Sequence, residues 1–454
     1  MNSALIFAQA SFYDLTYARF CMLHFLEFAI WGAWYVVLGN FLEARGFSRK
    51  DIGRIYGTMA VGAIISPVFV GAIADRYLST QLVIGGLHLA GAVLLFAMSR
   101  IHTSRSFYWT ALVYSLAYSP TLALVNSIVF ANIPEGLEAS TYFPLIRVFG
   151  TIGWILAGLS LKLLLKPNEP VSERPLLLAA CLSAVLGFYS LSLPDTPPAF
   201  PAAVANSVEE GKFTREVGDQ LLEVGNVQQA IDEGLLSREQ AKGIPKPFQF
   251  ADVFGLVREL PVFLMVSLVI SMAMGFYFAF GALFLEKNAR VEPQNVGPIM
   301  TIGQLVEIVF MLSLPWFLGT LGMPTVLALG VAAWAIRFGF FSIGTLPLVL
   351  IGIALHGICF DFFFAAGFIH VDALASEAIR NSAQTLYGML VYGVGLYLGN
   401  ELAGWLNQYC TLETTAEGEI KLVRHTNWRK FWAIPCAVVT IALLLLVAAQ
   451  QLGR

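Results

Sequence analysis

Residues 351–372 read IGIALHGICFDFFFAAGFIHVD. The stretch is long and apolar enough to cross a bilayer, and Asp361 stands near its middle. A carboxylate at that depth costs at least about 3 kcal/mol unless it is paired or protonated. Asp361 therefore reads as a functional position, and its partners must lie in other apolar runs of the same chain.

Such runs make up most of the molecule. Of its 454 residues, 57% are hydrophobic and 13% charged, against about 25% charged in a soluble domain. The mean hydropathy is +0.72. These values describe a polytopic membrane protein. A net charge of -3 leaves no basic surface for nucleic acid. Cys21, Cys181, Cys359, Cys410 and Cys436 are scattered, with no metal or disulfide spacing, so no metal and no cofactor is expected. The first twenty residues have no basic region before their apolar part and no clean cleavage site, so no removable signal peptide is expected.

A spanning helix needs about 20 mostly apolar residues. Six such runs fall near 20–42, 54–74, 80–99, 108–132, 143–165 and 175–193. Six more fall near 260–285, 296–318, 325–344, 346–371, 383–406 and 429–450. Between them, LPDTPPAFPAAVANS (193–207) is Pro-rich and is expected not to be helical. The charged segment 209–247 follows, and Val217, Leu221, Leu222 and Val224 suggest one or two short amphipathic helices. The expectation is an all-α membrane protein in three parts. Residues 1–198 form an N-terminal six-helix bundle, 199–256 a soluble connector on one membrane face, and 257–454 a C-terminal six-helix bundle. Two-bundle transporters place their substrate between the halves, near the bilayer midplane.

Gly71-Ala72-Ile73-Ala74-Asp75-Arg76 reads as the loop after the second span. Gly-x-x-x-Asp-Arg at this place resembles the signature of the major facilitator superfamily, in which Gly71, Asp75 and Arg76 would lock one conformation. That resemblance implies cytoplasmic termini and a cytoplasmic connector. The charge count does not support this orientation. Arg45, Arg49, Lys50, Arg54, Arg100 and Arg105 all fall at the opposite end, while the short inside loops carry little beyond Arg76 and Arg380.

Six charged residues sit inside the predicted spans: Glu27, Arg147, Glu307, Arg337, Asp361 and Glu401. Glu401 is near a helix end, close enough to the interface to be hydrated. The remaining three acids face two arginines, and arginine stays protonated. One carboxyl is left without a full positive partner, which suits a carrier of protons. Asp361, Glu307 and Glu27 are the candidates for that role. Arg147, Thr151 and Trp154 follow i, i+4, i+7 spacing and share a face of the fifth span. Gln304 and Glu307 share a face of the eighth, and His356 and Phe360 lie beside Asp361 in the tenth. Together they suit a neutral solute rich in hydrogen bonds and carrying a flat ring. Structural alternatives stand beside each assignment. Arg147 could snorkel to the interface. Glu307 or Asp361 could form an ion pair with Arg337. Glu27 could pair with His24 three residues before it. Trp154, Phe360, Trp31 and Trp34 could be packing.

The stretches FLEFAIWGAWYVVLG (25–39), SLAYSPTLALVNSI (115–128), FPLIRVFGTIGW (143–154), AIRFGFFSIG (335–344) and HGICFDFFFAAG (356–367) followed by EAIRNSAQ (377–384) carry a resemblance. The chain resembles the nucleoside:proton symporter family of the major facilitator superfamily. The resemblance implies about twelve helices in two six-helix bundles and proton-driven uptake of nucleosides across an inner membrane by alternating access. It places Arg147, Thr151, Trp154, Gln304, Glu307, Phe360 and Asp361 at the substrate. There are departures. The seventh span, GFYFAFGALFLEKN, has none of the family's carboxamides before Asn288, leaving Tyr277 as the polar replacement. Glu27 stands where a neutral Gln is expected, and His356 where a Tyr is expected. These changes keep a proton symporter for a sugar or another small polar solute in view. An intramembrane enzyme built on His356 and Asp361 would need a nucleophile or metal set, and none has suitable spacing. The expected molecule is a monomeric transporter, not an enzyme, with a nucleoside, protons and lipid as its partners.

Overall fold

The computed structural model describes residues 15–134, 139–241, 244, 260–374, 380–415 and 422–451. Hydrocarbon offers the backbone no hydrogen-bond partners, so each crossing must be helical. Span 1 is Leu15–Ala44, span 2 Arg49–Arg76 and span 3 Thr80–Arg100. Span 4 is Ser104–Ala131, span 5 Ala139–Leu164 and span 6 Arg174–Ser192. In the second half, span 7 is Pro261–Lys287, span 8 Pro293–Leu321 and span 9 Met323–Ile343. Span 10 covers 346–374, span 11 covers 380–409, and span 12 is Trp428–Gln451. These twelve, counted among the described residues, coincide with the twelve apolar runs to within a few residues. The exterior is apolar, with Val93, Leu163, Phe188, Leu312 and Leu444 exposed, as suits a lipid-facing surface.

The halves meet at the end that carries the connections between spans 1 and 2, 7 and 8, and 11 and 12. There span 2 packs on span 11, and span 5 on span 8. The contact is backbone to backbone. A Cβ on Gly53 would collide with the Asn400 carbonyl oxygen and lie 2.7 Å from Gly404 Cα. A Cβ on Gly297 would lie 2.8 Å from the Gly158 carbonyl oxygen. Polar contacts reinforce this seam. Asn40 Nδ2 donates to Glu286 Oε2 at 2.6 Å. Glu43 Oε2 accepts from Arg49 at 3.0 Å and from Arg424 at 3.1 Å. Arg54 pairs with Glu401 at 3.6 Å.

These contacts account for cations that the charge count placed at this end. Arg49 is buried against Glu43, and Arg45 donates to the carbonyls of Ser99 and Ile101. Such arginines are tied into the fold and are poor reporters of topology.

Gly53→Val tests the seam. Overpacking of this kind costs about 1–3 kcal/mol. The expected result is transport slowed by about 5- to 150-fold, with Glu43 and Arg424, each replaced by cysteine in turn, becoming more reactive to a water-soluble maleimide. Unchanged transport and labelling would show that the halves do not need this contact.

Two readings are corrected. Residues 193–207 were expected to be non-helical, yet Ala199–Glu209 is a helix. Pro198 precedes it and Pro201 lies in its first turn, where no backbone N–H is required. Gly71–Arg76 is the last part of span 2 rather than a loop, and the side chains of Gly71, Asp75 and Arg76 lie outside the described residues, as does that of Arg380. A β-hairpin also joins spans 11 and 12, pairing β1 (Thr411–Thr415) antiparallel with β2 (Leu422–Thr426). Arg424 of β2 is the residue that reaches Glu43.

The connector continues with helices Arg215–Val224 and Val227–Asp232. Thr214 accepts from the Val217 N–H, and Asn226 accepts from Gln228 and Gln229, both ordinary N-caps. Gly225, at φ 64°, makes the left-handed turn between them. Phe200, Val204, Leu221, Val227 and Ala230 form a small core separate from that of the spans.

Candidate functional site

The site is built from spans 1, 5, 8, 10 and 11. Span 10 is not a regular α-helix at Asp361. Phe360–Ala365 forms a π turn, and Met389–Gly395 forms another in span 11. Phe364 and Tyr392, one from each, lie 6.2 Å apart. Such turns recur at functional sites because they redirect side chains within a continuous helix. Asp361 is 1% exposed, and its Oδ2 has no hydrogen-bond partner among the described residues. Glu307 reaches solvent, with 26% of its side chain exposed.

Gly357 lets span 10 approach span 8 closely, since a Cβ there would stand 2.9 Å from Glu307 Cα. His356 Nε2 is 3.5 Å from Glu307 Oε2 and 3.5 Å from Gln304 Nε2. Its ring stacks on Phe360 with centroids 4.0 Å apart. Across the cleft, the Arg147 guanidinium lies 4.0 Å over the Phe28 ring. Arg147 attracts Glu307, and Glu307 repels Asp361. Tyr392 feels all three charges. Two carboxyls and one guanidinium from three spans thus act on one another, with Arg147 from the first half and both acids from the second. Taking up one proton brings this set from one net negative charge to neutrality.

Thr151 lies one turn beyond Arg147. Trp154 meets Trp31 edge to face at 5.3 Å. Tyr277 is buried at the edge of this cluster, 5.7 Å from the His356 ring, with its hydroxyl toward Met300 Sδ at 3.9 Å.

Two partner assignments do not hold. Arg337 has no carboxylate within 4.0 Å among the described residues. Span 9 turns it toward the following span, where Nε donates to the Gly352 carbonyl at 2.9 Å. The faces of Tyr277 and Trp334 hold its charge at 4.4 and 4.7 Å. Glu27 does not pair with His24, which bonds the Phe20 carbonyl and Asn126. Glu27 Oε2 is instead 2.8 Å from His88 Nε2 on span 3. Sequence reading missed His88, Tyr392 and both π turns. A histidine inside the apolar run HLAGAVLLF was a visible signal for His88, whereas FDFFFA and MLVYGVG look like ordinary helix.

Residues 15–212 and 238–452 match the model of a family described as nucleoside H+ symporter. The chain belongs to the nucleoside H+ symporter family. Residues 213–237, which contain the second and third connector helices, fall outside the match. The chain is 34% identical over 440 residues to the Escherichia coli (strain K12) protein named "Putative nucleoside transporter YegT", covering 95% of this chain and 92% of the relative. It is 29% identical to the xanthosine permease of the same strain, covering 92% and 91%. The crystal structure of nucleoside transporter NupG superposes with a TM-score of 0.75 at 26% identity, covering 96% of this chain and 99% of that one. This nucleoside H+ symporter family member is thus a multi-pass transporter with the major facilitator fold, and it is not an enzyme.

Proposed function

We propose that the protein imports nucleosides together with protons across the inner membrane by alternating access. The observation that carries this reading is the set Arg147, Glu307 and Asp361, contributed by both halves and surrounded by His356, Gln304 and Phe360. Glu307 and Asp361 are the proton-coupling acids. Arg147, Thr151, Gln304 and Phe360 bind substrate, with Trp154, Tyr277 and His356 completing the lining. An aromatic face suits a nucleobase, and charged and amide groups suit its polar edges and the ribose hydroxyls. Residues 1–198 and 257–454 act as the two rocking units of a monomer, linked by 199–256. The termini and the connector face the cytoplasm, and Gly71, Asp75 and Arg76 form the conformational lock on that side.

The test is uptake into proteoliposomes with an inward proton gradient, using radiolabelled uridine, adenosine, guanosine and xanthosine beside glucose and lactose. Concentrative uptake of at least one nucleoside, abolished by a protonophore, is expected. Uptake of a sugar alone would replace the nucleoside reading.

A further inference from the structure

The first half seals a third acid, Glu27, away from Glu307 and Asp361. Glu27 is 0% and His88 1% exposed. Thr121 Oγ1 lies 2.7 Å from Glu27 Oε1 and 2.6 Å from the Tyr118 carbonyl oxygen, and the Tyr118 hydroxyl donates to the Glu27 carbonyl at 2.8 Å. Ser183 Oγ donates to the His88 carbonyl at 2.8 Å and lies 3.4 Å from His88 Nδ1. The cluster joins spans 1, 3, 4 and 6.

Its hydrogens can be counted. A serine hydroxyl has one hydrogen. Ser183 directs it at the His88 carbonyl, so toward Nδ1 it accepts, and Nδ1 carries a hydrogen. The 2.8 Å contact between Nε2 and Glu27 Oε2 then requires another. Without it, two lone pairs would face each other. With the single Thr121 hydrogen directed at Glu27 Oε1 and not at the Tyr118 carbonyl, the pair has no net charge whether the hydrogen between Nε2 and Oε2 rests on nitrogen or oxygen. Imidazolium with carboxylate and imidazole with carboxylic acid have the same sum. A neutral pair avoids the uncompensated charge that makes a lone buried carboxylate so costly.

The pair also fixes how span 1 is rotated. Phe28, the next residue, lies under Arg147. Trp31, four residues on, meets Trp154. A Cβ on Gly153 would strike the Phe25 carbonyl, so spans 1 and 5 cannot slide apart without losing this fit. Besides Tyr118, the titratable groups around the pair are His24, Tyr114 and Arg147. His24 bonds Asn126; the Tyr114 ring stacks on Tyr118 at 5.5 Å, and its buried hydroxyl has no hydrogen-bond partner among the described residues. Arg147 lies beyond Phe28.

We propose that Glu27 and His88 form a charge-neutral, proton-sharing pair that positions Arg147 through Phe28, and so sets nucleoside affinity without handing on the transported proton. This rests on the reading that nucleosides bind at Arg147. Proton-driven nucleoside uptake by the unaltered protein therefore comes first and tests that reading separately.

In Glu27→Gln the amide nitrogen donates to His88 Nε2 and its oxygen accepts from Thr121. Because every hydrogen bond is kept, KM should stay within about twofold, with an unchanged proton-to-nucleoside ratio. Glu27→Ala and His88→Ala remove the pair. Their KM should rise roughly ten- to a hundredfold, as for binding groups displaced by about 1 Å, again with the ratio and maximal rate retained. Phe28→Leu keeps the pair and removes the aromatic seat, so it should show the same rise if the alanine variants fail to fold. Loss of concentrative uptake with retained exchange in Glu27→Gln would make Glu27 a coupling acid and overturn the proposal. Unchanged KM in the alanine variants, or in Phe28→Leu, would overturn it as well.

Discussion

Glu307→Gln and Asp361→Asn are each expected to abolish accumulation of nucleoside against a gradient while leaving exchange of internal for external nucleoside in place. Both replacements preserve size and hydrogen-bonding shape, so the cleft should still bind and reorient. What they remove is the capacity to gain and release a proton. Arg147 attracts Glu307, which in turn repels Asp361, and one proton more or fewer decides whether the set is neutral. An amide fixes that count. A membrane potential of 100 mV is worth about 2.3 kcal/mol per proton, enough for roughly fiftyfold accumulation at one proton per nucleoside. Either variant should bring the steady-state ratio in vesicles down to about 1, the value without coupling. Normal accumulation by one variant would clear that residue of the role. Normal accumulation by both would remove the coupling assignment altogether.

Arg147→Ala should weaken nucleoside binding most among the substrate contacts. Hydrogen bonds to a charged group contribute about 1.5–3 kcal/mol, or roughly ten- to a hundredfold in KM. The guanidinium stacks on Phe28 at 4.0 Å and also attracts Glu307, so its loss removes a binding group and a charge. Arg147→Lys should restore little, because an ammonium lacks the planar fork and stacks poorly. Equilibrium binding to purified, folded variants gives the measurement. Wild-type affinity in Arg147→Ala would mean that the side chain serves the interface and not the substrate.

The crossings were legible because a bilayer imposes a length and an apolar composition that few soluble segments share. The deep charges were legible because their cost singles them out. Partners were harder. His24 looked suited to Glu27 by spacing, but the face of span 1 sends it to Asn126, and the true partner lies 61 residues away. Arg337 seemed destined for an acid because charge was counted without direction. It is held by aromatic faces and a carbonyl instead. The Pro-rich segment misled because proline disrupts the interior of a helix and not its first turn. No periodicity announces a π turn, since FDFFFA and MLVYGVG look like ordinary helix.

That last feature has a mechanical meaning. A π turn contains one residue more than the α-helix around it can place. In span 10 this surplus sits at Phe360–Ala365, between His356 and the end of the helix. Deleting Phe362 would consume it. The segment would then close as regular α-helix with the portions on either side keeping their relative orientation, because the surplus residue is what the turn absorbs. Span 10 therefore holds slack in a measured quantity, one residue, at the point where the acids of two helices face each other.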